Sequence, residues 1–171
     1  MDGRRPGLRL ALPMTRTLPL RSALVVLLAF LVVVPVASAR MDSAARLQMV
    51  WPANGTVTSE FDEWRGGRSH DGIDIGMLLS LRVRAATAGV VRSTGYAGGY
   101  EGYGKIIILD LPGPYTALYA HLSNVAVREG EHVRKGEWIG QAGCTGSCSG
   151  THLHFEVHHA GVPVNPLRFL G

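Results

Sequence analysis

Apolar and polar residues alternate along short stretches of this chain, and Gly-rich turns separate the stretches. Side chains on a strand point to opposite faces in turn, so this alternation is the mark of half-buried β-strands. It predicts strands at 56–61, 70–75, 81–85, 89–95, 105–111, 116–122, 137–142 and 152–158. No stretch of this part has the 3.6-residue apolar period of a helix, and 123–140 has room for a turn or two at most. The expected fold is all-β, a compact antiparallel sheet of barrel-sandwich kind with many tight turns.

One run breaks the pattern. Ala23–Val34 is twelve residues without a charge, preceded by arginines and followed by Pro35 and Ala37-Ser38-Ala39. A charged start, a short apolar run and a small-x-small site are the three parts of a secretory signal peptide. The expected organisation is a signal peptide at 1–39, a short linker at 40–50 and one domain at 51–171. An uncleaved anchor is the alternative, and either Met1 or Met14 serves as the start. No Cys stands near Ala39, which argues against lipid attachment there.

This division changes the meaning of the charge. The whole chain sums to +4, but residues 1–39 hold five arginines and one acid. From Arg40 onward there are 12 basic and 12 acidic residues. Nucleic-acid binding therefore loses its electrostatic support. The exported chain is expected to leave the membrane after cleavage, to act as a monomer, and to bind an anionic surface with weak salt dependence.

All seven histidines lie beyond the signal. In His152-Leu153-His154-Phe155-Glu156-Val157-His158, alternation sends Leu153, Phe155 and Val157 to one face and His152, His154, Glu156 and His158 to the other. In His70-Asp71-Gly72-Ile73-Asp74-Ile75 the same parity groups His70 with Asp74. In Tyr115–Leu122 it groups His121 with Tyr119 and Ala117. Neutral imidazoles with one carboxylate are good zinc ligands, and three protein ligands leave a fourth position for water. Further histidines beside a metal can handle protons near neutral pH. His132 and His159 read as surface residues. So does His158, although its parity matches the site face.

Three segments in order, His70-x-x-x-Asp74, Tyr119-Ala120-His121-Leu122-Ser123 and His152-Leu153-His154-Phe155-Glu156, closely resemble those of the lysostaphin-type (β-lytic) zinc metallopeptidases, which are peptidoglycan endopeptidases. The resemblance runs from about Trp51 to Leu170. It implies one Zn2+ held by His70, Asp74 and His154, with His121 and His152 as catalytic histidines. It also implies hydrolysis of a peptide bond in a peptidoglycan stem or cross-bridge by a secreted, periplasmic or wall-associated protein. Many relatives have lost ligands and only activate other wall hydrolases; here all five positions are filled.

The sequence departs from the family where Asp62 and Glu63 replace a usual Gly, and where Met77–Leu81 lacks a Pro-containing turn. Trp64, Tyr96, Tyr100 and Tyr103 lie in loops that border the groove in the family, where packing and substrate stacking are both open. Cys144 and Cys148 form a disulfide in an exported protein, or remain thiols, or ligate zinc. Two other functions stay in view. One is a zinc-binding but catalytically silent activator or wall-binding domain. The other is a lipoyl- or biotinyl-like carrier, suggested by Val125–Gly140 but lacking a modifiable Lys in a suitable hairpin.

Overall fold

A computed structural model describes residues 47–171. The signal peptide and most of the linker expected from the sequence lie outside the described residues. The last part of that linker needs correction. Leu47 and Met49 are buried in the core, and Met49 bridges Leu170 in parallel, so the domain takes in this segment ahead of Trp51. Two apolar side chains spaced by two, on an extended segment, give it a face to bury.

Eleven strands follow: β1 (Thr56–Ser59), β2 (Ile73–Gly76), β3 (Arg82–Arg84), β4 (Gly89–Gly95), β5 (Ile106–Asp110), β6 (Tyr115–Ala120), β7 (Asn124–Val125), β8 (His132–Val133), β9 (Trp138–Gln141), β10 (Leu153–His159) and β11 (Val162–Val164). All eight strands expected from alternation are present, with bounds that differ by up to three residues at an end. The three that alternation did not announce, β7, β8 and β11, are two or three residues long. No apolar period can be read in so few residues.

Eight strands form one antiparallel sheet in the order β1-β2-β10-β6-β5-β4-β8, with β11 also paired to β10. A second sheet has the order β3-β9-β7. Val83 and Ile139 of the small sheet join Ile73, Ile75, Leu109, Tyr119 and Phe155 of the large one in the main core. The expected all-β, antiparallel architecture is therefore present, divided between two sheets. Among the described residues the only helical pieces are single 3-10 turns at Glu101–Tyr103 and Pro166–Arg168. None is long and apolar enough to cross a membrane.

The large sheet is covered on its other face too. Ile106, Ile108, Leu118 and Ala120 form a second apolar cluster, on which Ala97, Tyr100 and Tyr103 pack. This explains why β5 reads Ile-Ile-Ile-Leu without alternation: a strand buried on both faces is apolar throughout. The site described below occupies one end of this second face.

Tyr119 shows how tightly the main core is specified. Its ring is fully buried against Phe155, and its hydroxyl oxygen accepts the Ala86 N–H at 2.8 Å. Burial pushes the phenol pKa well above its usual value. Tyr119→Phe keeps the ring and leaves the Ala86 N–H without an acceptor. The expected loss is ~1–3 kcal/mol of stability, read as a lower denaturant midpoint at unchanged slope.

Candidate metal centre

The site is built on the pairing of β2 with β10. Leu153 lies opposite Ile75 and Phe155 opposite Ile73, all four in the core. The residue between them on each strand must then point the other way, so Asp74 and His154 face each other on the opposite side. Their Oδ1 and Nδ1 atoms are 2.8 Å apart. His70 precedes β2 and swings over the same point. Its Nε2 is 3.0 Å from His154 Nδ1 and 3.3 Å from Asp74 Oδ1.

Each ring has its other nitrogen tied to an acceptor. His70 Nδ1–H donates to the Glu60 carbonyl at 2.8 Å, and His154 Nε2–H donates to Glu156 Oε1 at 2.8 Å. A carbonyl can only accept, so Nδ1 of His70 carries the proton and Nε2 is left with a lone pair. The same logic leaves Nδ1 of His154 bare. Two nitrogen lone pairs and a carboxylate oxygen thus converge, and such a cluster of acceptors repels itself unless a cation sits among them. For zinc, with ligand distances of ~2.0–2.1 Å, a tetrahedral edge is roughly 3.3 Å. The three edges here are 2.8, 3.0 and 3.3 Å, so the donor set and its spacing fit one such ion.

Electrostatics favour the same arrangement. Burial alone would oppose charge on Asp74, but the neighbouring His154 and His70 rings and the Arg65 guanidinium outweigh it and hold the carboxyl far below its usual pKa. Arg65 Nη2 donates to Oδ2 at 2.5 Å, leaving Oδ1 for the centre. Glu156 is 1% exposed and accepts from three groups: His154, Tyr103 Oη at 2.8 Å and His158 Nε2 at 2.6 Å. Burial again opposes ionisation, yet these donors bring its pKa down to about 2.

His121 and His152 complete the group. Their ring centroids are 4.7 Å apart, and His152 Nε2 is 3.7 Å from Asp74 Oδ1. His121 Nδ1–H donates to the Thr145 carbonyl at 2.8 Å, and His152 Nδ1–H to the Gly150 carbonyl at 2.7 Å. Nε2 is therefore the free acceptor on both rings. Burial lowers the His121 pKa, which keeps that ring neutral at neutral pH. The carbonyl that orients it is held by close packing: a Cβ on Gly104, at φ 66, would stand 2.4 Å from the Thr145 carbonyl.

All five residues expected from the sequence meet here, but one reached the site by an unexpected route. His121 does not share a face with Tyr119 and Ala117, which point into the main core. It sits just past β6 at φ 59, and this left-handed turn flips its side chain to the opposite face. Alternation holds only while the backbone stays extended, so parity gave the wrong face. His158, read as a surface residue, is half-buried and bonded to Glu156. His132 and His159 are exposed, as expected. Arg65 gave no signal in the sequence. Glu156 did, by its parity with His154, but its three donors come from different parts of the fold.

The loops also resolve. Asp62, where the family usually has Gly, stands at φ 67, a conformation that Asp tolerates better than most residues. Cys144 and Cys148 are bridged, which removes them as thiols or zinc ligands. The bridge closes the turn that contains Thr145 and ends two residues before Gly150, and the carbonyls of these two residues orient His121 and His152. Two depressions flank the centre. One, of about 120 Å3, is lined by Arg65, Arg68 and Tyr103; the other, of about 400 Å3, by Ser59, Met77 and Thr151. A larger cavity of about 600 Å3 lies farther along the sheet and meets this network only through His158.

A profile of Peptidase family M23 matches residues 68–166, which contain the five converging residues. The chain belongs to peptidase family M23. It is similar to the murein hydrolase activator NlpD of Salmonella typhimurium, 38% identical over 136 residues, covering 80% of this chain and 35% of that one. Among solved structures it is similar to a zinc containing peptidase from Vibrio cholerae, with a TM-score of 0.60 and 30% identity, covering 70% of this chain and 38% of that one. It also resembles the antimicrobial peptidase lysostaphin from Staphylococcus simulans, with a TM-score of 0.62 and 27% identity, over 71% and 51% of the two chains. This M23 chain spans 35% to 39% of the length of the curated relatives it matches first.

The network behind His154 yields a direct test. Glu156→Gln keeps the shape of the side chain but removes its charge and one acceptor. Zinc affinity, measured by competition with a chromogenic chelator, is expected to fall roughly 10–100-fold. An unchanged affinity would show that Glu156 only fills space.

Proposed function

We propose that this protein is an exported zinc-dependent endopeptidase that hydrolyses peptide bonds in peptidoglycan stems or cross-bridges. The observation that carries this reading is the convergence of His70, Asp74 and His154 on one point, with His121 and His152 beside it and every ring N–H turned away. Zinc is the ion that best suits two imidazoles and one carboxylate with an open position, and a solved relative is described as a zinc containing peptidase. Export rests on the N-terminal segment read from the sequence.

In this reading His70 Nε2, His154 Nδ1 and Asp74 Oδ1 hold the ion. Zinc, when bound, supplies Lewis acidity: it polarises a carbonyl and lowers the pKa of water toward ~7. The chain supplies the rest. His121 and His152 present their Nε2 atoms to the centre, where they take a proton from the attacking water and pass it to the leaving amine. Once protonated, either ring donates toward the oxygen on which negative charge develops. The Thr145 and Gly150 carbonyls fix both rings, so little reorganisation is needed as charge moves. The substrate peptide lies across the centre, between the two depressions.

A second reading is favoured by one observation: a relative similar over most of this chain is named a murein hydrolase activator. In that case the domain binds metal and wall peptide, or a wall hydrolase, without cutting.

Incubating the zinc-loaded protein with purified peptidoglycan, with and without a chelator, separates the two. The expected outcome is release of muropeptides whose masses show peptide cleavage, abolished by the chelator. His154→Ala should lose both zinc and cleavage. His121→Ala should keep zinc and lose ~10^2–10^4-fold in rate. Intact peptidoglycan under all conditions, together with faster cutting by an added wall hydrolase, would establish the activator reading instead.

A further inference from the structure

The two depressions beside the metal centre differ in charge, and the difference comes from one hairpin. Trp64 and Ser69 pair in antiparallel fashion, and Arg65 N–H donates to the Arg68 carbonyl at 2.9 Å. Gly66, at φ 71, turns the corner. Arg65 and Arg68 are therefore directly opposite each other, with side chains on the same face. Like charges in such positions destabilise a hairpin, so this pair works against the turn that carries it. Only one of the two charges is matched inside the chain. Arg65 binds Asp74 Oδ2 and Ser59 Oγ. Among the described residues, no ion pair includes Arg68, which is exposed.

Both arginines line the depression that also contains His70, His121 and His154. Asp71 is the acidic side chain on that wall. Of the charged side chains that line this depression two are arginines and one is acidic, so positive charge is in excess on this wall. The depression on the other side is lined by Thr58, Ser59, Met77 and Thr151 and contains no Lys or Arg. The groove thus carries its arginines in one half only, and the acidic lining residue of the other half, Asp74, is bound by Arg65 and turned to the metal centre, in a chain whose formal charge beyond residue 39 is balanced.

We propose that Arg68, with Arg65 behind it, is a carboxylate-binding subsite, and that the preferred substrate carries a free carboxylate on the residue placed in this half of the groove. The subsite rests on the peptidase reading for what happens next to it, but binding can be tested alone. Arg68 binds the carboxylate by charge-assisted hydrogen bonds, and the anion relieves the repulsion between the two arginines. Small uncharged residues occupy the other half. The hairpin thereby sets which way round the peptide lies across the zinc.

The test uses two synthetic wall peptides that differ only in whether the residue flanking the scissile bond on the arginine side bears a free carboxylate or a carboxamide. The zinc-loaded full chain is expected to cleave the acid about tenfold more efficiently, mainly through KM. Arg68→Gln should lower cleavage of the acid about tenfold and so remove that preference, and Arg68→Lys should restore most of it. Binding is read separately on zinc-loaded His121→Ala, through the fluorescence of Trp64, which is 70% exposed in the same hairpin. Equal binding of acid and amide, or an equal loss on both peptides in Arg68→Gln, would overturn the subsite. If neither peptide is cut but the acid still binds better in an Arg68-dependent way, the subsite stands and the peptidase reading falls.

Discussion

Asp74 and His154 face each other across a pair of antiparallel strands, and the rest of the site depends on that register. Ile73 and Ile75 on one strand, and Leu153, Phe155 and Val157 on the other, fill the main core. A slip of one residue would send these five apolar side chains out of the core and turn Asp74 and His154 into it. The hydrophobic core therefore does more than stabilise the domain. It sets the distance between two metal-binding atoms, which no loop could hold as well.

Around that pair, acceptors do the remaining work. A ring nitrogen is useful to a cation only when its lone pair points inward, and each imidazole here has its N–H committed to a fixed oxygen elsewhere. Glu60, Thr145 and Gly150 supply backbone carbonyls, and Glu156 supplies a carboxylate. Burying Glu156 would be costly without partners, and its three donors supply them. Tyr103 reaches it from the loop after β4, and His158 from farther along β10. The second apolar cluster, under Tyr100 and Tyr103, is thus linked to the position of a metal-binding ring.

Much of this could be read from the chain alone, because it follows from extended backbone. Alternation found eight of the eleven strands, the core face of β10 and the common face of His152, His154 and Glu156. It failed where the backbone leaves the extended region. His121 reaches the site through a positive φ that no periodicity reports, and its motif placed it where parity did not. Arg65 and Arg68 act through a turn whose position in space depends on contacts with residues far away in sequence. Leu47 and Met49 looked like linker because two apolar residues among polar ones carry little pattern, yet they pack under the C-terminal segment. The charge balance beyond residue 39 was legible as a sum, but a sum does not reveal two arginines opposed beside one site.

Fixed acceptors choose which nitrogen of each histidine faces the centre. Side-chain 1H–15N correlation spectra of the zinc-loaded protein test it most directly. The expected result is a proton on Nδ1 of His70, His121 and His152 and on Nε2 of His154, with zinc-shifted resonances at His70 Nε2 and His154 Nδ1. Zinc on Nε2 of His154, or rings at His121 and His152 that exchange freely between tautomers, would contradict it.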